Sequence, residues 1–575
     1  MTRIRKVEIR NFRSIREMDW FPSEGINCLI GPGDSGKSTV LDAIDLCVGA
    51  KRSIAVEDTD FFNLDVTQQI SITLTLGSLP DALKNLNTYG EFLRAFNRLN
   101  GDMEEEPRHG LETVLSLRFQ VGADLEPNWT LVSARAEEQG LERTIGWKDR
   151  ASITPARLGT SVNSNLSWTR GSVLNRLSEE RANLGAELAH ASREARSKFG
   201  EQTIGHFAAS LQTVTSTANA LGVSVGMSAR ALLDAHAVSI GDGAIALHNE
   251  AGIPLRSLGT GSARLLIAGL QRAAAESASI VLVDEIEYGL EPHRLTRLLD
   301  SLGAKDGAAP LQVFMTTHSP VAVRELNGNQ VFIVRPINGV HYVRYVGIQD
   351  DIQSTIRLDP EAFLARTVIV CEGASEVGLV RGLDQYYVSQ GLRSLAASGV
   401  AYVDVGGSDP DRCFVRGSAL VGLGYRVIVL ADADKPPTPA TVDAFTAAGG
   451  KVVTWRAGRA LEDELFLSLP DAAVNQLIQR ALELSDEGLV EQHVVSQSKG
   501  TTSIGAVWAE GAATGYSLPT RNLLGSASRT RKSGWFKSVT KFEGVARDIV
   551  GPHLPACDPD FRTLITNLFG WAHAA

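Results

Sequence analysis

Residues 31–38 carry the residue types that bind a polyphosphate. They read Gly-Pro-Gly-Asp-Ser-Gly-Lys-Ser and satisfy the pattern G-x-x-x-x-G-K-[ST] in full, between a strand pattern and a helix pattern. Glycines let backbone N–H groups surround phosphate oxygens, while the lysine reaches the outer phosphates and the serine hydroxyl ligates Mg²⁺. We therefore predict a nucleotide-binding loop. Its expected contact residues are Gly31, Gly33, Gly36, Lys37, Ser38 and Thr39.

Two acids end a later apolar strand pattern. Residues 279–283 are followed by Asp284, suited to hold a magnesium shell, and by Glu285, suited to polarise an attacking water. Shortly before them, the glycine-bearing turn 257–262 opens a helix pattern and is either an anion site or an ordinary turn. Downstream, another strand pattern ends at His318.

Taken in order, these segments resemble the SMC/RecF-like branch of the ABC ATPases. The opening "Ile-x-Asn-Phe-Arg-Ser-Ile", familiar in that branch, stands here at residues 9–15. The resemblance covers roughly residues 1–345 and implies ATP as a cofactor. In that family the signature turn of one subunit completes the phosphate site of another, so one head per chain implies a homodimer or a higher homo-oligomer.

The same resemblance implies roles for individual residues. His318 matches the switch histidine that senses the terminal phosphate of ATP. The glutamine of the Q-loop is Gln68 or Gln69, because both precede the right kind of strand and spacing does not choose between them. The expected contact residues of the signature motif are Ser257, Gly259 and Gly261.

A second set of acids follows two more apolar strand patterns. Residues 368–371 lead into Glu-Gly with another glutamate close behind, and residues 427–431 lead into Asp-x-Asp. Carboxyl ends of parallel strands share one edge of a sheet, so these side chains should converge. Converging carboxylates repel one another unless cations neutralise them, and oxygen ligands favour Mg²⁺ or Mn²⁺. The four carboxylates are Glu372, Glu376, Asp432 and Asp434.

From about residue 358, strands alternate with helix-length segments, which predicts a parallel sheet. The acids at its edge make this module similar to the Toprim fold of primases, topoisomerases and some nucleases. After the last strand, Glu462 and Asp463 either complete a second metal site or compensate the dipole of a helix start. Two metals would stabilise the attacking and leaving oxygens of a phosphodiester displacement.

A basic segment lies near the carboxyl end of the chain. Residues 528–541 hold five cations, two aromatics and no acid. Such a stretch is either a phosphate-contacting patch or a solvated basic face.

An SMC-like ABC head joined to a Toprim module resembles the OLD (overcoming lysogenization defect) nucleases, a family that includes the nuclease subunit of the Gabija anti-phage system. The resemblance implies a DNA endonuclease gated by nucleotide, with two divalent metals, Ca²⁺ being an option for the second. It places Lys537 at the scissile phosphate, with Lys541 as the competing candidate. A separately encoded UvrD-like helicase is a partner in one branch. The expected metal ligands are Glu372, Glu376, Asp432, Asp434, and Glu462 or Asp463.

These patterns predict an α/β chain. The ABC ATPase domain is expected at residues 1–165 and 226–350, interrupted at 166–225 by an inserted hairpin of two helices, and the Toprim domain with a helical extension at 358–575. The hairpin either folds back on the core or pairs with a second subunit. Strand patterns are expected to resume near 239–247, and the charge-rich stretch 101–107 is expected to be an exposed loop.

Composition narrows the class of protein. The 575-residue chain is 43% hydrophobic and 21% charged, as in ordinary globular proteins, and holds no apolar run approaching the ~20 residues of a membrane span. The net charge of −10 argues against a simple nucleic-acid coat protein but not against a nucleic-acid enzyme. The five scattered cysteines are expected to be buried thiols in a reducing cytoplasm.

Other functions fit less well. A non-nucleolytic ATP-dependent clamp or sensor would not need the intact set of acids. A topoisomerase needs a catalytic tyrosine in a separate strand-gating domain, for which the segment after Glu464 leaves little room. A primase needs a template-binding module, and no pattern in the sequence indicates one.

Overall fold

The computed structural model describes residues 2–50, 54–158, 166, 172–177, 185–221, 223, 226–227, 246–274, 279–407, 409–530 and 533–574. Within these residues the chain forms a large mixed sheet and a smaller parallel sheet, each packed with helices. The predicted α/β class is confirmed. None of the described helices is long and apolar enough to cross a membrane.

The strands are β1 (Arg3–Phe12), β2 (Ile15–Trp20), β3 (Ile26–Ile30), β4 (Ile70–Gly77), β5 (Leu93–Phe96), β6 (Met103–Glu104), β7 (Glu112–Val121), β8 (Pro127–Val132), β9 (Ala156–Leu158), β10 (Ile280–Val283), β11 (Gln312–Thr316), β12 (Val331–Ile337), β13 (Val340–Tyr345), β14 (Thr367–Cys371), β15 (Val400–Asp404), β16 (Arg426–Ala431) and β17 (Lys451–Thr454).

The helices are α1 (Lys37–Val48), α2 (Leu86–Tyr89), α3 (Ala134–Glu138), α4 (Trp147–Ile153), α5 (Val173–Leu177), α6 (Gly185–Ala220), α7 (Thr260–Ala273), α8 (Pro292–Ser301), α9 (Pro320–Glu325), α10 (Asp350–Leu358), α11 (Ala374–Ser389), α12 (Asp411–Gly422), α13 (Pro439–Ala447), α14 (Leu461–Ser468), α15 (Asp471–Leu484), α16 (Glu487–Gln497), α17 (Ile504–Thr514), α18 (Leu518–Ser528), α19 (Val539–Val545), α20 (Gly551–His553) and α21 (Pro559–His573).

The large sheet has the strand order β6-β5-β7-β4-β1-β2-β13-β12-β3-β11-β10-β9, with β8 paired to β7. Strands β12, β3, β11, β10 and β9 pair in parallel with one another, whereas β1, β2, β4, β5, β6, β7 and β8 pair antiparallel with one another. Strand β13 joins the two parts of the sheet, antiparallel to β12 and parallel to β2. β3, β10 and β11 are buried along their whole length, as expected for parallel strands covered on both faces. The nucleotide loop after β3 and the acids after β10 therefore sit at the carboxyl ends of two parallel strands that flank β11.

The small sheet has the order β15-β14-β16-β17 and is entirely parallel. Cys371 at the end of β14 pairs in register with Leu430 of β16, so the acids that follow these two strands emerge side by side. The register of β14 and β16 alone therefore brings the acids of the second set to the same edge of the small sheet.

The two sheets share a hydrophobic core. One cluster of buried residues runs from Val283 and Val313 of the large sheet to Val368 and Val427 of the small one. At the junction the Arg335 guanidinium lies 4.4 Å from the ring centroid of Tyr425 and donates to the carbonyl of Ala365. Helix α10 lies in this junction, where it packs against both α9 and α12.

Two local predictions are corrected by the structure. The second apolar run and the later part of the first, from residue 188 on, lie on one continuous helix, α6, because no residue in 185–220 breaks the helical backbone, whereas the run's first residues lie on the short helix α5. In the charge-rich stretch 101–107, residues Met103 and Glu104 pair with β5 as the short edge strand β6. Most of the strand expected near 239–247 lies outside the described residues. All five cysteines are free and buried, as predicted.

Glu112 joins two arginines at the start of β7. Its carboxylate pairs with Arg5 at 2.8 Å and with Arg98 at 2.7 Å, and it accepts a 2.7 Å hydrogen bond from the backbone N–H of Ser78. Burial disfavours the charged form of Glu112, but hydrogen bonds from Arg98 and Arg5 outweigh burial and lower its pKa to about 2.

Glu112→Gln is therefore expected to lower the free energy of unfolding at neutral pH by about 1–2 kcal/mol, measured by urea denaturation. Because the folded-state pKa is depressed below the ordinary glutamate value of 4.5, this stabilisation is present above pH 4.5 and is lost as the pH falls toward 2. The deficit of the variant should shrink over the same window. Glu126→Gln, at an exposed position beside β8, is the matched control and should change stability little. A deficit independent of pH would contradict the assignment.

Candidate functional site

The nucleotide loop joins β3 to α1, and its backbone requires glycine at two positions. Gly31 has φ of +152°, and a Cβ there would lie 2.5 Å from the carbonyl oxygen of Val334. Gly36 adopts the left-handed conformation with φ of +82°, directly before the first residue of α1. Gly33 faces open space. The loop thus presents the amino end of α1 as the pattern predicts.

Lys37 lies within the turn of this loop. Its side chain is buried, and its Nζ donates to the carbonyl oxygens of Gly31 at 3.1 Å and Pro32 at 2.9 Å. Burial lowers the pKa of Lys37. A partly desolvated ammonium held by carbonyl dipoles is placed to interact strongly with a phosphate group.

Ser38 and Asp284 lie side by side although 246 residues separate them. The Ser38 hydroxyl donates to Asp284 Oδ1 at 3.0 Å, and Thr316 at the end of β11 donates to the same oxygen at 2.6 Å. The Thr316 hydroxyl in turn accepts from the backbone N–H of Glu285 at 2.8 Å. The hydroxyl and carboxylate expected to share a magnesium ion are therefore brought together. Thr316 was not predicted, and its place directly before the Thr-His-Ser-Pro segment was the available signal.

Glu285 and His318 are both exposed at the mouth of this site. Glu285 has φ of +45°, a left-handed conformation that is uncommon for a non-glycine residue and that turns the chain sharply after β10. The backbone N–H of His318 donates to Glu287 Oε1 at 2.8 Å, and Thr317 donates to the other oxygen of Glu287 at 2.7 Å. Glu287 thus fixes the backbone of the histidine segment while leaving the imidazole exposed.

The remaining predicted residues of the ATPase half occupy the surrounding turns. Thr39 accepts or donates a 3.3 Å hydrogen bond with Ser14. The amide oxygen of Gln69 accepts a 3.4 Å hydrogen bond from Gln120, and the backbone carbonyl of Gln68 accepts from Asn11. Neither contact chooses between the two glutamines, so the choice stays open.

The turn 257–262 leads into α7 and packs against the acidic turn after β10. Gly259 caps the amino end of α7, and Ser257 closes a preceding 3₁₀ turn. A Cβ on Gly261 would lie 2.7 Å from the carbonyl oxygen of Gly289, so the two segments touch through their backbones. A close approach of this kind requires glycine.

Arg264 on α7 ties the same two segments together, and the sequence patterns did not predict it. Its buried guanidinium donates to the carbonyl oxygens of Tyr288 at 2.6 Å, Glu285 at 3.3 Å and Asp284 at 3.4 Å. Burial lowers the pKa of Arg264. A movement of α7 would therefore be transmitted to the acids after β10.

At the edge of the small sheet, backbone amides hold two of the predicted carboxylates. The backbone N–H of Asp432 donates to Glu372 Oε2 at 2.9 Å. Asp432 Oδ1 accepts a 3.0 Å hydrogen bond from the N–H of Leu461 at the start of α14. The ends of β14 and β16 and the amino end of α14 therefore meet at one place.

Ionisation of the carboxyl groups at this edge is disfavoured. Burial raises the pKa of Asp432 to about 8, with further contributions from Glu462, Glu372 and Asp434. Burial also raises the pKa of Glu376 well above its usual range, with Asp432 and Glu462 adding to it. The pKa values of Glu372 and Glu462 are raised as well, again chiefly by burial. Such a set is stable in its ionised form only beside cations.

One arginine forms ion pairs with two of these acids. Arg529 pairs with Asp434 Oδ2 at 3.1 Å and with Asp463 Oδ2 at 3.1 Å. The same oxygen of Asp463 accepts from the backbone N–H of Ala460 at 3.1 Å, which caps α14. In the part of the chain that the structure describes, no three His, Cys, Asp or Glu side chains stand close enough to hold a metal as they are. The donor set is all oxygen and suits Mg²⁺ or Mn²⁺, but some of its oxygens are engaged elsewhere.

The two candidate lysines have different surroundings in the structure. Lys537 is exposed and acts electrostatically on Glu462, whose pKa it lowers against the effect of burial. Lys541 instead donates to the carbonyl oxygen of Leu484 at 3.4 Å. The segment before Lys537 is anchored by the buried Trp535, whose indole N–H donates to Nδ1 of His493 at 3.1 Å. The sequence patterns did not single out His493.

A family model described as "AAA domain, putative AbiEii toxin, Type IV TA system" matches residues 26–324, more than half of the chain. The chain belongs to this family. The matched segment runs from the first residue of β3 into α9 and therefore contains the nucleotide loop, the acids after β10 and His318. The candidate nucleotide site therefore lies within the matched AAA domain.

Curated relatives match this AAA-family protein over short segments. The OLD nuclease of Thermus scotoductus is 35% identical over 75 residues, which are 12% of this chain and 14% of the relative. The DNA replication and repair protein RecF of Prosthecochloris aestuarii is 45% identical over 61 residues, 11% of this chain and 16% of the relative. The chain therefore aligns with only about one sixth or less of the length of these relatives.

Two solved structures show a limited likeness. The SmcHead bound to the C-winged helix domain of ScpA has a TM-score of 0.31 and 17% identity, covering 59% of this chain and 97% of that chain. The recombination mediator protein RecF has a TM-score of 0.29 and 11% identity, covering 60% of this chain and 98% of that chain. Scores this low do not bear on function.

Lys37→Met in this AAA-family protein is expected to weaken ATP binding by roughly 100-fold, because it removes a charged donor to the phosphates. Isothermal titration with ATP and Mg²⁺ measures the change. Lys84→Met, which removes an exposed lysine of the same domain, should bind ATP like the unchanged protein. Equal affinity in all three proteins would refute the role of the loop.

Proposed function

We propose that this chain is a divalent-metal-dependent DNA endonuclease whose activity is governed by ATP at an ABC-type ATPase site. Residues 1–165 and 226–350 form the ATPase domain, 166–225 an inserted helical dimerisation segment, and 358–575 a Toprim nuclease domain with a helical extension. The observation that carries the proposal is the convergence of buried carboxylates that follow β14 and β16 and begin α14. Burial and, after it, the neighbouring acids raise the pKa of Asp432 to about 8. Acids this costly to bury are typical of metal-dependent phosphoryl chemistry.

The chemistry of the acidic edge fits two divalent ions, Mg²⁺ or Mn²⁺, with Ca²⁺ as an option for the second. The residues that would hold them are Glu372, Glu376, Asp432, Asp434, Glu462 and Asp463. Bound metals would supply neutralisation of charge on the scissile phosphate and activation of water. Lys537, beside Glu462, would contact a phosphate oxygen, and the basic segment at 528–541 would bind the DNA backbone.

At the ATPase site, Lys37 would bind the outer phosphates, and Ser38 with Asp284 would hold Mg²⁺. Glu285 would accept a proton from the attacking water, and His318 would sense the terminal phosphate. Arg264 and the shared core give a physical route by which nucleotide state could reach the small sheet. The signature residues of a second copy would complete each site, so the chain acts as a homodimer or larger assembly.

The names of the relatives bear on the biological role that we propose. One is named a nuclease and another a DNA replication and repair protein, and the matched family is described as a toxin of a toxin–antitoxin system. We propose a role in DNA processing, which the names of the nuclease and the repair protein support, or in anti-phage defence, with a UvrD-like helicase as a candidate partner.

A second candidate function is an ATP-dependent DNA clamp or sensor in which the acidic module only binds. It is favoured by one observation: Arg529 pairs with Asp434 and Asp463 and so occupies carboxylate oxygens that a catalytic metal would need. Incubation of plasmid with the purified protein and Mg²⁺ or Mn²⁺, with and without ATP, separates the two. Absence of nicking or linearisation under every condition would favour the clamp.

Asp432→Ala is expected to abolish plasmid cleavage, because Asp432 lies at the centre of the acidic edge. ATP affinity should stay within about twofold, since distant sites perturb each other little. Asp443→Ala, at an exposed acid on α13 of the same module, is the matched control and should cleave normally. Cleavage by the Asp432 variant would show that the metal assignment is wrong.

Lys537→Met is expected to lower the cleavage rate by roughly 100-fold, as loss of one stabilising donor in the transition state commonly does. Lys541→Met should cleave at nearly the normal rate, because its ammonium is directed to the carbonyl of Leu484. Single-turnover cleavage of labelled DNA measures both rates. The reverse ranking would reassign the catalytic lysine to Lys541.

A further inference from the structure

Arg529 holds together the two parts of the acidic edge. Its NH1 lies 3.1 Å from Asp434 Oδ2 in the loop after β16, and its Nε lies 3.1 Å from Asp463 Oδ2 in the first turn of α14. One guanidinium thus uses two of its donors on carboxylates that come from separate segments of the chain. Charge-assisted bonds of this geometry are among the stronger polar contacts in proteins.

The packing of α18 against α14 explains why Arg529 reaches both acids. A Cβ on Gly525 would lie 2.7 Å from Asp463 Oδ1 and 3.0 Å from the Cα of Asp463, so the two helices touch through their backbones. Arg529 follows one turn later, directly after the last residue of α18. The close approach at Gly525 therefore sets its guanidinium opposite the first turn of α14.

The surroundings of Arg529 are strongly acidic. Glu462, next to Asp463, is buried, and Lys537 and Arg529 both favour its ionised form against the effect of burial. Without a cation at this position, Asp434 and Asp463 would face each other and the neighbouring acids without compensation. Arg529 supplies that compensation from the chain itself.

A divalent ion and the guanidinium cannot use the same carboxylate oxygens at once. Mg²⁺ binds its oxygens at about 2.1 Å and requires a nearly regular arrangement of ligands. Asp434 Oδ2 and Asp463 Oδ2 now accept hydrogen bonds from Arg529, and Asp463 Oδ2 also caps α14. Among the described residues, no three metal-ligating side chains form a ready cluster.

We propose that Arg529 is a built-in cation that competes with the divalent metal for Asp434 and Asp463. A metal ion binds these two carboxylates only when the guanidinium moves away, so Arg529 sets the metal affinity of this half of the site. The inference rests on the proposed function, since it presumes that the acidic edge binds metal at all. Arg529 is partly exposed, so its side chain can leave without unfolding the core.

Titration of the nucleotide-free protein with MnCl₂, followed by calorimetry and by the electron paramagnetic resonance of free Mn²⁺, tests the competition. The unchanged protein is compared with Arg529→Met and with the matched control Arg459→Met, which removes an equal charge nearby but pairs with Glu464 at 3.2 Å instead. Asp432→Ala identifies which bound ions belong to the acidic edge.

Arg529→Met is expected to tighten Mn²⁺ binding at the acidic edge about tenfold, because it removes the competing ion pair. Arg459→Met should stay within about twofold, since its charge acts only from a distance. Arg529→Gln should change affinity in the same direction and serves if the methionine variant does not fold.

Unchanged or weaker Mn²⁺ binding in both Arg529 variants, with normal binding in the unchanged protein, would overturn the competition while leaving the metal site intact. Equal tightening in the Arg459 variant would also overturn it, because charge alone would then explain the effect. Lack of Mn²⁺ binding in every protein, including the unchanged one, would overturn the metal assignment of the proposed function instead.

Discussion

Repulsion among buried carboxylates is the constraint on which the acidic module depends. Asp432 lies between the ends of β14 and β16 and the start of α14, and burial together with Glu462 and Glu372 makes its ionisation costly. The fold offsets that cost only partly, through backbone N–H groups and through Arg529 and Lys537. A protein that keeps such an arrangement pays in stability for a site suited to cations and phosphates.

In both modules, the segments that carry the candidate site residues pack through close backbone contacts. Gly261 lets α7 touch the turn after β10, and Gly525 lets α18 touch α14. Helix α11 carries Glu376. On this helix Gly378 and Gly382 let the backbone of α19 approach closely, and a Cβ on Gly382 would clash with the backbone carbonyl of Glu543. Each glycine stands where a side chain would force the functional elements apart.

The two modules are joined as parts of one packed body rather than by a bare linker. A single apolar cluster extends across both sheets, and α10 lies in the junction between them. Packed interiors transmit displacement because they have little free volume. A displacement of the turn 257–262 and α7 can reach the turn after β10 through the contacts of Arg264. The shared core connects that turn with β14 and β16.

Much of this protein could be predicted from local patterns. The spacing of residues 31–38 predicted the loop between β3 and α1, and the apolar runs before Asp284 and Asp432 predicted β10 and β16, because period and punctuation are local properties of a chain. The convergence of Glu372 with Asp432 followed from the rule that parallel strands end at one edge. These features depend on a few neighbouring residues and on general geometry.

The rest was decided by tertiary packing. Helical periodicity could not tell one long helix from two shorter ones, and the structure shows the single helix α6. The partners of Ser38, Lys541 and Arg529 come from segments distant in sequence, so no local pattern could name Asp284, Leu484 or Asp463 as their contacts. The residue types needed for the chemistry are thus set by sequence, whereas the cation that balances the acids is chosen by how α18 packs on α14.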